Sequence, residues 1–283
     1  KSKITCILRN ETSFNLSSFQ LINFVAESFN NSNFYFNFED DLVKFKMFDE
    51  NSLKIRDIII HGGITNGDIN GMFISQEYQL TPVKNRIVLD VGANIADSSV
   101  YFAMMGANKV IGVEPFSRNF YLAKKNIVEN NLTGKIIIEQ AICSDTNGIV
   151  EIDPNTFSTA SSSFVSKKGI TIHSFTLKKM ISKYDLPSSS ILKLDCEGDE
   201  YKIVLSSSKD TLRTFDFIIL EYHYGYKNLK KYLETCGFEV NVTLPIVTGQ
   251  LPWVLKYFKI FNHSQKNIKL GATGLLYAKR ITV

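Results

Sequence analysis

Residues 87–95 read Ile87-Val88-Leu89-Asp90-Val91-Gly92-Ala93-Asn94-Ile95, and this stretch decides the fold class. A short apolar run ends in Asp90, turns through Gly92 and continues into an apolar pattern with helical spacing. Such a strand–turn–helix unit is where α/β enzymes hold a nucleotide-like cofactor. A second apolar run ends in Glu114, which lies 22 positions after Gly92. An acid at this distance is suited to accept hydrogen bonds from both hydroxyls of a ribose.

The turn after Asp90 is informative because it contains a single glycine, Gly92. A dinucleotide site needs the pattern G-x-G-x-x-G, since its glycines let the backbone approach a pyrophosphate. The turn therefore favours a cofactor that has adenosine but no pyrophosphate, of which S-adenosylmethionine is the common example. For the same reason an NAD-dependent dehydrogenase is the least favoured interpretation.

Strand and helix patterns alternate from residue 85 onward. Strands are predicted at residues 87–91, 109–114, 135–140, 190–195, 215–222, 238–243 and 273–280. Helices are predicted at residues 95–105, 117–131, 175–184, 199–206 and 226–236. This alternation predicts a doubly wound, mostly parallel, seven-stranded α/β sheet with helices on both faces. The last strand follows Gly271 without a convincing helix before it, so it is expected to enter the sheet antiparallel through a hairpin.

Residues 1–85 differ from the rest of the chain in being rich in Phe, Asn and Ser. A helical apolar pattern lies at residues 19–25, and short strands are predicted at residues 34–38 and 53–60. We interpret residues 1–85 as an N-terminal extension packed on the core, and residues 86–283 as the α/β domain.

Composition restricts the function classes. The chain has 283 residues, 44% of them hydrophobic, and a formal net charge of +4, which indicates a globular protein without a basic nucleic-acid-binding arm. Its four cysteines lie far apart and form no C-x-x-C pair, and no metal site is predicted. Since no apolar run reaches the length of a membrane span, a cytoplasmic protein is expected.

An acid-rich segment follows the predicted strand at residues 190–195. Asp195 ends that strand, and Glu197 lies in the turn before the next helix. Ligands of doubly wound sheets bind at the carboxyl ends of strands, so Asp195 is expected near the reacting end of a cofactor seated over Gly92. A carboxylate there would hold a cationic sulfonium or orient an attacking hydroxyl. The alternative is that Asp195 and Asp199 cap the following helix.

The next strand ends in Glu221, Tyr222 and His223. Glu221 and His223 are two residues apart, so their side chains point to the same side of an extended chain. A histidine in this position is suited to remove a proton near neutral pH. The alternative is a structural or solvated histidine.

These motifs together resemble the FkbM family of S-adenosylmethionine-dependent methyltransferases. The resemblance rests on the Asp90–Asn94 turn, Glu114-Pro115, residues 192–198 and residues 221–223, and it covers most of residues 80–280. It implies a class I methyltransferase fold, with Asp90, Gly92 and Asn94 around the methionine part, Glu114 on the ribose, and Gln140 and Ala141 near the adenine. The complete set of expected cofactor-binding residues is Asp90, Gly92, Ala93, Asn94, Glu114, Gln140, Ala141 and Glu197. One departure is Ala96, where the family usually has glycine.

The resemblance implies an O-methyltransferase that acts on a hydroxyl of a carbohydrate or glycoconjugate, with Asp195, Glu221 and His223 as catalytic candidates. Two alternatives stay open: an RNA or small-metabolite methyltransferase on the same fold, and a noncatalytic cofactor-binding subunit. The mild, scattered positive charge argues against RNA.

Residues 251–261 combine Trp253, Lys256 and Lys259 with large apolar side chains. Such a stretch is able to rest on a membrane surface, which would place the protein at the inner face of a membrane and suit a lipid-linked sugar acceptor. The more ordinary interpretation is that the segment packs on the core or on a second subunit.

Overall fold

The computed structural model describes residues 4–7, 13–16, 34–37, 39–63, 69–74, 76–152, 169–243, 246–248 and 271–281. The chain separates into two compact units, residues 1–140 and residues 141–283. The predicted boundary at residue 85 concerns a different division of the chain and stays a prediction. The apolar pattern at residues 19–25 and the aromatic segment at residues 251–261 lie outside the described residues. Within those ranges, no helix combines the length and the apolar character needed to cross a membrane.

The first unit begins with antiparallel strands. Strands β1 (Ile4–Ile7) and β2 (Ser13–Leu16) pair with each other. Strands β3 (Phe34–Asn37), β4 (Leu42–Asp49) and β5 (Lys54–His61) form an antiparallel sheet in that order, and a π-helical turn spans Asn70–Ile74. The strand β4 was not predicted, although its pattern alternates: Val43 and Phe45 are buried while Lys44 and Lys46 are exposed.

The second part of this unit contains β6 (Ile87–Val91), α1 (Asp97–Met104), β7 (Lys109–Val113), α2 (Ser117–Glu129) and β8 (Ile136–Glu139). β7 pairs in parallel with both β6 and β8. The predicted helix at residues 95–105 begins two residues later because Asn94 and Ala96 have left-handed backbone conformations, with φ of 49° and 66°.

Two buried asparagines of the α2 region, Asn126 and Asn130, connect that helix to the outer edge of β5. The Ile59 N–H donates to Asn130 Oδ1 at 2.9 Å, and Asn130 Nδ2 donates to the Ile59 carbonyl at 2.7 Å. Asn126 makes the same pair of bonds with His61, at 2.8 and 3.1 Å. Residues four apart on a helix and two apart on a strand have similar spacings, so the two side chains match the β5 backbone.

The second unit contains a small sheet that was not predicted. It consists of β9 (Ala141–Cys143), β10 (Gly148–Ile152) and β11 (Ile170–Phe175), in the order β10-β11-β9. β11 pairs antiparallel with β10 and parallel with β9.

The remaining elements of this unit are α3 (Leu177–Lys183), β12 (Ser190–Leu194), α4 (Glu200–Ser206), α5 (Lys209–Leu212), β13 (Phe215–Tyr222), α6 (Lys227–Thr235), β14 (Phe238–Val242), β15 (Ile246–Thr248) and β16 (Gly271–Arg280). β12 and β13 are parallel. β16 runs antiparallel to both β13 and β14, which confirms the predicted orientation of the last strand.

The predicted fold class is confirmed. A mostly parallel, mixed α/β sheet contains the seven strands β6, β7, β8, β12, β13, β14 and β16, and β15 pairs with β16. All residues of β12 are buried, as expected for a strand covered by helices on both faces. The N-terminal region adds separate antiparallel strands, and the carboxyl ends of the parallel strands carry the predicted functional residues.

Candidate functional site

In the first unit, the turn after β6 is held by backbone hydrogen bonds to the end of β7. Gly92 has φ of 75°, which glycine adopts without steric cost. The N–H groups of Gly92 and Ala93 both donate to the Val113 carbonyl at 3.0 Å. Ala93 is fully buried, whereas Gly92 and Asn94 remain partly exposed. The turn therefore presents Gly92 and Asn94 at the carboxyl end of β6.

Asp90 lies beneath this turn and is fully buried. Its Oδ2 accepts hydrogen bonds from the hydroxyls of Ser98 and Ser99, at 2.7 and 2.6 Å. The carboxylate thereby anchors the first turn of α1. This is a structural role that the sequence did not predict, and contact of Asp90 with a cofactor stays a prediction.

Glu114 joins the turn to the end of β7. It is 3% exposed, its Oε2 accepts from the Asn94 N–H at 3.0 Å, and its Oε1 accepts from the Phe116 N–H at 2.9 Å. A carboxylate has about four lone-pair sites, so these two backbone bonds do not by themselves prevent it from accepting hydrogen bonds from hydroxyl groups. This arrangement fits the predicted contact with a ribose.

Gln140 lies beside the segment that follows Glu114, because its Nε2 donates to Ser117 Oγ at 2.9 Å and to the Pro115 carbonyl at 3.3 Å. The expectation that Gln140 and Ala141 end the third strand of the parallel sheet is wrong. That strand, β8, ends at Glu139, and Ala141 is the buried first residue of β9. The peptide chain changes sheets here, a change that residue periodicity does not reveal.

The geometry of the first unit fits an adenosine-containing cofactor without a pyrophosphate. The turn after β6 offers one positive-φ glycine and partly exposed backbone, and β7 is followed by the carboxylate of Glu114. Ala96 also fits this backbone: it is fully buried at the N-cap of α1, with φ of 66° and ψ of 24°. An L-residue in the left-handed region costs roughly 1–2 kcal/mol, and alanine, with only a methyl side chain, fits the buried position without further crowding from a longer side chain.

In the second unit, the register of two parallel strands brings the predicted catalytic residues together. Leu194 of β12 lies opposite Leu220 of β13, so the next residues, Asp195 and Glu221, are neighbours at the carboxyl ends of these strands. His223 follows Glu221 by two residues. One polar side-chain atom from each of the three residues lies within 4.8 Å of the other two. Two carboxylates and an imidazole at this spacing are able to bind a cation or to exchange a proton.

Two further glutamates face the imidazole of His223. Glu197 Oε2 lies 3.5 Å from Nε2, and Glu200 Oε2 lies 3.5 Å from Nδ1. Burial lowers the pKa of His223, but Glu200, Asp195 and Glu221 together raise that pKa to about 9. The imidazole is therefore protonated at neutral pH in this arrangement, whereas a general base has to start unprotonated. The carboxylates of Asp195 and Glu221 are better suited to accept a proton.

Glu200 is the functional residue that the sequence did not predict. It is fully buried, and its carboxylate accepts hydrogen bonds from the N–H groups of Cys196 and Gly198. These bonds hold a turn in which Glu197 and Gly198 have φ of 55° and 112°. The expected helix cap, Asp199, makes no side-chain capping bond to the described part of α4. An acid at the first position of a helix is the one sequence signal for this role, and it also fits an ordinary interaction with the helix dipole.

The site is accessible from solvent through Asp195 and Glu197, whose side chains are 26% and 51% exposed. The buried Lys193 contributes one positive charge, with its Nζ 3.8 Å from Asp195 Oδ2. We call Asp195, Glu197, Glu200, Glu221 and His223 the acid–histidine cluster.

The chain was compared with protein families and with solved structures. Residues 90–240 match the family model described as the methyltransferase FkbM domain. Among solved structures, the METTL16 MTase domain has 11% identity and a TM-score of 0.47, over 98% of this chain and 86% of that one. Precorrin-6y C5,15-methyltransferase from Geobacter metallireducens has 13% identity and a TM-score of 0.41, over 76% and 90% of the two chains. M. capricolum TrmK in complex with S-adenosyl-homocysteine has 10% identity and a TM-score of 0.43, over 73% and 66%. No curated protein matches the chain.

Proposed function

The chain belongs to the FkbM methyltransferase family, and we propose that it transfers a methyl group from S-adenosylmethionine to a hydroxyl oxygen of a carbohydrate or glycoconjugate. Membership of the family implies S-adenosylmethionine as the methyl donor. The observation that carries the proposed oxygen acceptor is the pairing of Asp195 and Glu221 at the ends of β12 and β13. A hydroxyl has to lose its proton during methyl transfer, and paired carboxylates are suited to receive that proton.

The residues of the first unit support binding of the donor. Glu114 would accept hydrogen bonds from ribose hydroxyls, and the N–H groups of Asn94 and Phe116 hold its two oxygens in place. Gly92 and Asn94 leave the turn open at the carboxyl end of β6. The donor supplies a methyl group on a sulfonium, which is a good leaving group, so the protein has mainly to position the reactants and remove a proton.

The residues of the second unit support removal of the proton. Asp195 or Glu221 would accept the hydroxyl proton on a carboxylate oxygen. Lys193, with its Nζ 3.8 Å from Asp195 Oδ2, and the protonated His223 place positive charge beside the carboxylates that would accept the proton. Glu200 accepts hydrogen bonds from the backbone of the turn that follows Asp195. These bonds help to hold the backbone that carries the Asp195 and Glu197 side chains.

Labelled S-adenosylmethionine, incubated with the protein and a panel of glycans and glycolipids, tests this proposal. We expect label in a carbohydrate hydroxyl, identified by mass spectrometry, and a strong loss of turnover in Asp195→Asn, which keeps the shape of the side chain while removing its charge. Transfer to RNA or to a small metabolite, with none to carbohydrate, would overturn the proposed acceptor. Equally strong binding of NAD and S-adenosylmethionine in calorimetry would overturn the proposed donor.

A membrane-attached acceptor is a separate part of the proposal, supported by the sequence of residues 251–261, and it would place a cytoplasmic enzyme at the inner membrane surface. The protein is then expected to sediment with anionic liposomes at low salt. Replacing Trp253, Lys256, Phe258 and Lys259 by small polar residues should abolish sedimentation and preserve binding of S-adenosylmethionine. Failure of the wild type to sediment would favour packing of this segment within the protein or a dimer.

A further inference from the structure

We propose that Asp195, Glu221 and His223 form a binding site for a divalent metal ion of the Mn²⁺ type. The site lies in the second unit, at the carboxyl ends of the parallel strands β12 and β13. The role of the ion rests on the proposed function, since the ion would bind the acceptor hydroxyl that receives the methyl group. Binding of the ion itself requires neither donor nor acceptor.

The geometry needs only a small adjustment to hold an ion. One ligand atom from each of the three residues lies within 4.8 Å of the other two. Ligands at about 2.1 Å from an octahedral ion are separated by about 3 Å when adjacent and by about 4.2 Å when opposite. The Asp195 and Glu221 side chains are only partly buried, so their rotation would bring the carboxylate oxygens closer to an ion.

The buried Glu200 is a second observation that points to a ligand. Histidines that bind metals usually donate their other ring N–H to a carboxylate or carbonyl, which fixes the ring and its tautomer. Glu200 is fully buried and has Oε2 3.5 Å from His223 Nδ1, while two backbone bonds keep its carboxylate in place. Glu200 is placed to orient His223 toward an ion, and the ion would replace the proton that the imidazole carries in the metal-free protein.

Charge and ligand type favour a particular class of ion. Asp195, Glu197, Glu200 and Glu221 gather four carboxylates around one imidazole, and Lys193 provides one nearby positive charge. Carboxylates suit Mg²⁺ and Mn²⁺, whereas imidazole suits transition metals, so a mixed set favours Mn²⁺ over Mg²⁺. Three protein ligands leave coordination positions for water or for hydroxyl groups of a sugar.

Titration of Mn²⁺ into protein freed of metal by EDTA, followed by electron paramagnetic resonance, tests the site without any enzymatic reaction. The signal of free Mn²⁺ should decrease until one ion is bound per chain. Asp195→Asn, Glu221→Gln and His223→Gln are each expected to weaken binding at least about tenfold. Glu239→Gln is the matched control, since it removes one carboxylate from an exposed position of β14 in the same unit and should leave binding unchanged.

Thermal melting of each variant without metal identifies those that fold, and Mn²⁺ should raise the melting temperature of the wild type but not of a folded site variant. The proposal is overturned if the wild type does not bind Mn²⁺ at about 1 mM, or if folded site variants bind as tightly as Glu239→Gln. Calorimetry with S-adenosylmethionine separates the two proposals: donor binding and methyl transfer in EDTA-treated protein would leave the function standing without the metal. Mn²⁺ binding without donor binding would leave the metal site standing without the function.

Discussion

Replacing Glu114 by glutamine should weaken both the fold of the first unit and the binding of S-adenosylmethionine. The carboxylate accepts one backbone N–H on each oxygen, from Asn94 at 3.0 Å and from Phe116 at 2.9 Å. An amide keeps one acceptor oxygen but turns a donor toward the other N–H group. One bond to a charged acceptor is lost and a buried N–H is left facing a donor, which together should cost about 2–4 kcal/mol.

The two effects of Glu114→Gln are measured separately. A loss of about 2–4 kcal/mol should lower the melting temperature by roughly 5–15 °C. Calorimetry at a temperature where the variant is folded should show an affinity for S-adenosylmethionine reduced more than about tenfold, because a hydrogen bond from ribose to a charged acceptor is also removed. Glu39→Gln removes a carboxylate from an exposed turn of the same unit and should change neither quantity.

The outcomes distinguish a structural role from a binding role. A lower melting temperature with unchanged affinity would limit Glu114 to holding the turn. Unchanged values for both would refute the reasoning altogether, since neither the backbone bonds nor the ribose contact would then matter. A Glu114→Asp variant, which keeps the charge but shortens the side chain, should recover part of the affinity only if the ribose contact is real.

Three further predictions concern stability. Ala96→Gly should fold and bind S-adenosylmethionine. Ala96→Val should lower the free energy of unfolding by about 2 kcal/mol or more, because a β-branched residue is strongly disfavoured at φ of 66° and the site is fully buried. Equal melting temperatures for the two variants would contradict this reasoning. Asn126→Asp should lose about 2–4 kcal/mol in urea denaturation, since its Nδ2 donates to the carbonyls of His61 and Ile95, and a loss below about 0.5 kcal/mol would contradict it. Burial raises the pKa of Asp49, but hydrogen bonds from Asn51, Ser52 and Arg56 outweigh burial and lower that pKa to about 2. The ionised side chain should therefore add about 2 kcal/mol to the free energy of unfolding above pH 4, and this contribution should be lost between pH 4 and pH 2. Acid denaturation of an Asp49→Asn variant should lack that part of the pH dependence.

The sheet was predictable because its strands are short apolar runs that alternate with amphipathic helices. Strands β6 and β13 have the predicted bounds, and the ends of the other predicted strands of the parallel sheet differ by one or two residues. The small sheet of β9, β10 and β11 was not predicted because periodicity requires longer windows than the three residues of Ala141–Cys143. Its pairing partners are also separated along the chain, and a local pattern carries no record of such pairing.

The candidate site was predictable where strand topology alone positions the side chains. Asp195 and Glu221 end neighbouring parallel strands, so their proximity follows from the order of the strands. The contacts of Glu200 were not predictable, because they depend on the left-handed conformations of Glu197 and Gly198, which turn two N–H groups toward one carboxylate. The protonation of His223 depends in turn on Glu200, so a histidine at a strand end was not sufficient to assign the base.

The asparagine pair on α2 also affects how the protein behaves in crowded solution. An exposed strand edge offers free backbone groups to which another molecule adds a strand, and this is a common start of aggregation. Asn126 and Asn130 occupy those groups at Ile59 and His61 of β5. Fraying of α2 would therefore expose an unpaired strand edge and also lower stability. A variant in which Asn126 or Asn130 is replaced is expected to aggregate more readily as its concentration rises. Two polar side chains that lie within the protein would then limit aggregation, a role usually given to charged residues on the surface.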